Sequence, residues 1–65
     1  MNGIIKTVVP DRGFGFIAGE DGTDYFFHRD DLRGLDFANL KTGQHVTFDA
    51  QHGPKGPRAG NVHQA

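Results

Sequence analysis

The sequence predicts an all-β domain, a five-stranded antiparallel barrel. Three observations lead there. Short β-branched and aromatic runs alternate with clusters of turn residues. No stretch sustains a helical period. Ten glycines and three prolines in 65 residues imply many turns and little helix.

Taken in order, Gly3-Ile4-Ile5-Lys6-Thr7-Val8-Val9 is rich in β-branched residues and ends at Pro10-Asp11, a turn signal. Phe14 to Ala18 is a second strand. Gly19-Glu20-Asp21-Gly22 closes a hairpin onto a third, Asp24 to His28. Asp30-Asp31-Leu32 is too short for a helix and reads as one helical turn capped by Asp30 and ended by Gly34. Leu35 to Gly43 has no period and is an irregular connection. His45 to Ala50 alternates cleanly, placing Val46, Phe48 and Ala50 on one face of a half-buried strand. Gln51 to Pro57 reads as a loop. Arg58 to Gln64 is a last short strand with Val62 as its clearest core residue. An open sheet would leave two unpaired edges, so five strands are expected to close. The oligonucleotide-binding (OB-fold) barrel fits that count. Residues 1–65 form one domain, with no repeat or linker.

Composition narrows the function classes. With no cysteine, neither a disulfide framework nor a cysteine-zinc site can support a chain this small. No apolar run approaches the roughly 20 residues that span a bilayer, so no membrane partner is expected. The opening residues lack a signal-peptide pattern, and a cytoplasmic location is expected. The net charge of −1 removes any argument for nucleic acid from bulk charge alone. Such a case must rest on where charges and aromatics sit.

The chain is organised around Arg12-Gly13-Phe14-Gly15-Phe16-Ile17. In a strand, Phe14 and Phe16 share one face and Ile17 takes the other. The same rule separates Phe26 and His28 from Tyr25 and Phe27. Most phenylalanines are core residues, but these cannot all be. Either choice of face exposes aromatics, which is costly unless they bind something. Antiparallel pairing of the two strands would set Phe14, Phe16, Phe26 and His28 side by side, with Ile17 and Phe27 inward. Glycine between the two phenylalanines would let a flat ligand approach the backbone. A phosphate-cradling loop is a weaker reading of Gly13 and Gly15, because no helix follows. Lys6, Arg12, Arg29, Lys55 and Arg58 lie in or beside these strands and offer a phosphate track. The acids fall mainly at turns, at Asp11, Glu20-Asp21, Asp30-Asp31 and Asp36.

Catalytic arrangements are poor, and no enzyme is expected. The chain contains no serine. His28, His45, His52 and His63 lack metal-ligand spacing, so no metal or cofactor is expected. Asp30-Asp31 are neighbours and would face opposite ways on a strand.

These residues together resemble the bacterial cold-shock domain family. Arg12 to Ile17 resembles the family's first ribonucleoprotein motif, Lys-Gly-Phe-Gly-Phe-Ile. Asp24-Tyr25-Phe26-Phe27-His28 resembles the second, Asp-Val-Phe-Val-His. Gly3-Ile4-Ile5-Lys6 resembles the opening strand, and Gly43 to Phe48 resembles Gly-Gln-x-Val-x-Phe. Lys55 to Val62 resembles the closing Gly-Pro-Gln-Ala-x-Asn-Val. The resemblance implies a five-stranded barrel that binds single-stranded RNA or DNA by base stacking, as RNA chaperones do. It implies a platform of Phe14, Phe16, Phe26, His28 and Phe37, with Lys6, Arg12 and Lys55 beside it. No small-molecule substrate is expected, and the chain is expected to be a monomer. Two departures stand out. The family's Lys-Trp-Phe-Asn is here Lys6-Thr7-Val8-Val9, so the tryptophan is absent. The aromatic after the histidine is Arg29, followed by Asp30-Asp31 for Ser-Ala. A guanidinium can stack on a base, so Arg29 offers partial compensation. The alternative reading is an OB-fold protein-interaction module with little nucleic-acid affinity.

Overall fold

A computed structural model describes all of residues 1–65. Five strands form in chain order: β1 (Asn2–Val9), β2 (Phe14–Gly19), β3 (Asp24–His28), β4 (His45–Gly53) and β5 (Gly56–Gln64). Two single 3-10 turns, Arg29–Asp31 and Phe37–Asn39, lie in the connection between β3 and β4. The strands pair in the order β1-β2-β3-β5-β4, and β4 pairs back onto β1.

The expectation of a wholly antiparallel sheet fails at one seam. β3 and β5 run parallel, meeting at Phe26 and Arg58, and a parallel bridge from Leu32 to Val62 continues that side. The reason is arithmetic. Strand direction cannot alternate all the way round a ring with an odd number of strands, so one neighbouring pair must run parallel.

Alternation decides the faces. Ile5, Ile17, Tyr25, Phe27, Val46, Phe48, Ala59 and Val62 form the buried core. Tyr25 and Phe48 meet at 5.0 Å between ring centroids. The Tyr25 hydroxyl leaves the apolar core to donate to Asp21 at 2.6 Å, so no buried side-chain polar atom lacks a partner. In β1 the register slips between Ile5 and Thr7, with Lys6 as the extra residue. That bulge reverses the alternation, so Ile5 faces in while Lys6 and Thr7 are both exposed.

Three local expectations are corrected. Gln51 to Pro57 is not a loop: β4 and β5 continue as a hairpin whose tip is Pro54-Lys55, with Gln51 opposite Arg58 and His52 opposite Pro57. This extension projects past the core, so β4 is exposed from Asp49 to Gly53 and hydrophobic alternation could not signal it. Ala50 belongs to that extension and is exposed rather than core. The capped turn is present, but its cap is His28, whose Nδ1 accepts from the Asp30 N–H at 3.1 Å; Asp30 lies inside the turn.

Gly15 also departs from expectation. It faces inward, where a Cβ would collide with the Thr7 carbonyl oxygen and lie 2.8 Å from the Phe27 ring. Core packing requires glycine there, not the approach of a ligand.

Candidate nucleic-acid interface

The β2–β3 ladder sets Phe14 opposite His28 and Phe16 opposite Phe26. All four are half-buried, while the alternate residues Ile17, Tyr25 and Phe27 are fully buried on the other face. The three phenylalanines form one cluster. Phe14 lies 5.4 Å from Phe26, Phe16 lies 5.9 Å from Phe26, and Phe14 lies 6.2 Å from Phe16, centroid to centroid. Tilted and edge-on contacts of this kind hold the rings in fixed orientations. Each ring is thus held by its neighbours and remains half-exposed.

The positions of β2 and β3 follow from the turns that bracket them. The N–H groups of Arg12 and Gly13 both donate to the Val9 carbonyl, and Gly13 takes a left-handed φ of 70°. That tight turn delivers Phe14 at the start of β2. At the other end of β3, His28 begins the 3-10 turn. Its own N–H donates to the Asp31 carboxylate at 2.8 Å, and its Nδ1 caps Asp30. The imidazole is thereby held by one nitrogen, with Nε2 left for other partners.

The expected cations divide into two sets. Lys6 is engaged: its Nζ lies 2.7 Å from Asp24 Oδ2. Arg58 is engaged twice, with Nη2 3.1 Å from Asp31 Oδ2 and Cζ 5.5 Å from the Phe26 ring centroid. Arg12, Arg29 and Lys55 are exposed and form no ion pair. The stem of Arg29 crosses Gly13, where a Cβ would stand 3.3 Å from Arg29 Cδ. Arg29 therefore runs beside Phe14. Phe37 stands apart from the cluster. It is half-buried, its ring lies 6.4 Å from Phe27, and its turn is capped by Asp36. It packs against the core while keeping an exposed side.

A groove of about 850 Å³ opens from Phe16, Phe26 and His28 to the β4–β5 hairpin. Its far wall is Gln51 to Arg58, including the tip cation Lys55. The sequence points to Lys55 and Arg58 in this wall but not to Gln51, His52 or Pro57, because the exposed hairpin strands carry no apolar alternation. The signal lay in Gly53-Pro54-Lys55-Gly56, a two-residue tip between glycines. Nor does the sequence point to Asp31 as the holder of Arg58, a contact across 27 residues that no local pattern encodes.

The model of the 'Cold-shock' DNA-binding domain matches residues 1–65. The chain belongs to the cold-shock domain family. Among its relatives, cold shock protein 2 of Lactiplantibacillus plantarum is 49% identical over 61 residues, covering 94% of this chain and 92% of the relative. The cold shock-like proteins CspJ of Salmonella typhi and CspI of Escherichia coli (strain K12) are each 43% identical over 63 residues, covering 95% of this chain and 90% of theirs. The family is one of nucleic-acid-binding domains. Within this cold-shock domain Thr7 stands opposite Phe16 on the outer face. The position at which the resemblance expects a tryptophan therefore lies directly beside the aromatic cluster. No helix of the domain is long and apolar enough to cross a membrane.

Proposed function

We propose that this cold-shock domain is a non-catalytic, monomeric, cytoplasmic binder of single-stranded RNA or DNA that acts as an RNA chaperone. In this reading the ring of strands is an oligonucleotide-binding barrel. Bases stack on Phe14, Phe16, Phe26 and His28, with Phe37 contributing its exposed side. Arg12, Arg29 and Lys55 meet phosphates, and Lys6 does so only after leaving Asp24.

One observation carries the reading: three phenylalanine rings cluster on the outer face while the inner face of the same two strands is already filled by Ile17, Tyr25 and Phe27. Rings that the core does not need, held open beside a groove, suit flat ligands. Each base–aromatic stack contributes roughly 1–3 kcal/mol and tolerates any base, so affinity without strict sequence choice follows.

A protein-interaction module is the second reading, favoured by the Lys6–Asp24 and Arg58–Asp31 pairs, which neutralise two cations beside the rings. Anisotropy titration of a labelled pyrimidine-rich heptamer separates the two. Saturable binding that competes with unlabelled RNA supports the first, and its absence supports the second.

A further inference from the structure

Arg58 is the one cation tied both to the aromatic cluster and to a carboxylate. Its guanidinium lies over the Phe26 ring, 5.5 Å from the ring centroid, and Arg58 lines the groove. Asp31 Oδ2 accepts from Nη2 at 3.1 Å. The same oxygen accepts from the His28 N–H at 2.8 Å, so Asp31 is itself anchored to the end of β3. Asp31 is only 18% exposed, whereas Arg58 is 47% exposed. The anchored carboxylate thus fixes the orientation of a guanidinium whose other edge is open.

A guanidinium carries five N–H donors in a rigid planar fork and no acceptor. One donor is committed to Asp31, and the others have no partner within the protein. A base stacked on Phe26 would bring its edge up to this fork. Guanine presents two adjacent acceptors, O6 and N7, that match two parallel donors. Adenine offers N7 beside an N6 amino group, which opposes a donor. Thymine and uracil separate their two carbonyls by an N–H, so only one acceptor meets the fork at a time.

Resting on the nucleic-acid reading above, we infer that Arg58, positioned by Asp31, reads the edge of the base stacked on Phe26 and makes that subsite prefer guanine over adenine, thymine and uracil. Arg58 is then a specificity residue and Asp31 a positioning residue. The platform supplies affinity for any base, and this pair adds a choice at one position.

The test is a guanine scan. A single guanine is moved through each position of a labelled heptathymidine, and each oligonucleotide is titrated by anisotropy. The inference expects one position at which guanine binds roughly tenfold tighter than thymine, and tighter than adenine there. Arg58→Met keeps an apolar stem on Phe26 and removes the donors; it should abolish that preference. Asp31→Asn keeps an acceptor for the His28 N–H but loses the charge that orients Arg58; it should lower the guanine-to-thymine ratio several-fold while thermal unfolding stays near the parent value. A flat scan on a protein that binds heptathymidine overturns the inference and leaves the parent reading standing. Equal weakening of every heptamer by Arg58→Met also overturns it, since that is the behaviour of a phosphate contact. No binding to any heptamer overturns both.

Discussion

Phe16 stands opposite Phe26 across the β2–β3 ladder, with ring centroids 5.9 Å apart and planes at 73°. One residue on in β2 and one back in β3, Ile17 opposes Tyr25 and both are fully buried. Two adjacent cross-strand pairs thus serve opposite ends: one fills the core, the other builds the outer face. Phe16→Ala and Phe26→Ala should each weaken oligonucleotide binding by roughly 1–3 kcal/mol. Phe27→Ala, which empties a fully buried site, should instead destabilise the fold by about 3–5 kcal/mol. Urea unfolding and anisotropy on the three variants check the division. Comparable loss of stability in all three would return Phe16 and Phe26 to the core.

Thr7 is exposed and faces Phe16 on the outer face. Thr7→Trp would place an indole beside the cluster without disturbing a packed neighbour. Binding should tighten by about 1–3 kcal/mol. The new tryptophan would be the only one in the chain, so its fluorescence should quench as bases stack on it. Tighter binding without quenching would locate the gain elsewhere.

Arg12, Arg29 and Lys55 are the site cations without an ion pair. With about 2–4 phosphates contacted, the slope of log K against log salt should be shallow, near −0.7 per phosphate. Lys55→Ala should reduce its magnitude by about one phosphate's share. Titration at several salt concentrations reads this directly.

Acid stability should depend on Asp21. The Tyr25 hydroxyl, then the Thr23 N–H, hydrogen-bond its carboxylate and lower its pKa below the ordinary 3.8. A carboxyl depressed in the folded state binds fewer protons than in the unfolded state, so it stabilises the fold above its unfolded pKa and this is lost as pH falls through the folded one. The same bond raises the Tyr25 pKa above 10.0. That contribution is complete below the unfolded value and is lost as pH rises through the folded one. Tyr25→Phe should therefore flatten both the acid and the alkaline limbs of a stability–pH curve measured by denaturant unfolding.

The legibility of this domain divided along physical lines. Strict period-2 alternation in Phe14–Ile17 and Tyr25–His28 announced both faces, because one face of each strand had to be core. The β4–β5 extension carried no such signal: Asp49 to Gly53 is exposed, so nothing constrained which side chains were apolar. Gly15, between two phenylalanines, reads in sequence as an opening for a ligand, yet its inward neighbour Phe27 comes from another strand, and only pairing reveals that conflict. Asp31 and Arg58 are likewise brought together by the parallel β3–β5 seam, which follows from ring closure and not from either segment.

The most direct measurement of the central claim is anisotropy titration of a labelled pyrimidine-rich heptamer with the parent domain and with a Phe16→Ala, Phe26→Ala double variant. The account predicts saturable binding by the parent, on the order of micromolar or tighter, and a loss of about a hundredfold or more in a double variant that remains folded. No binding by the parent below about millimolar, or undiminished binding by the folded double variant, would contradict it.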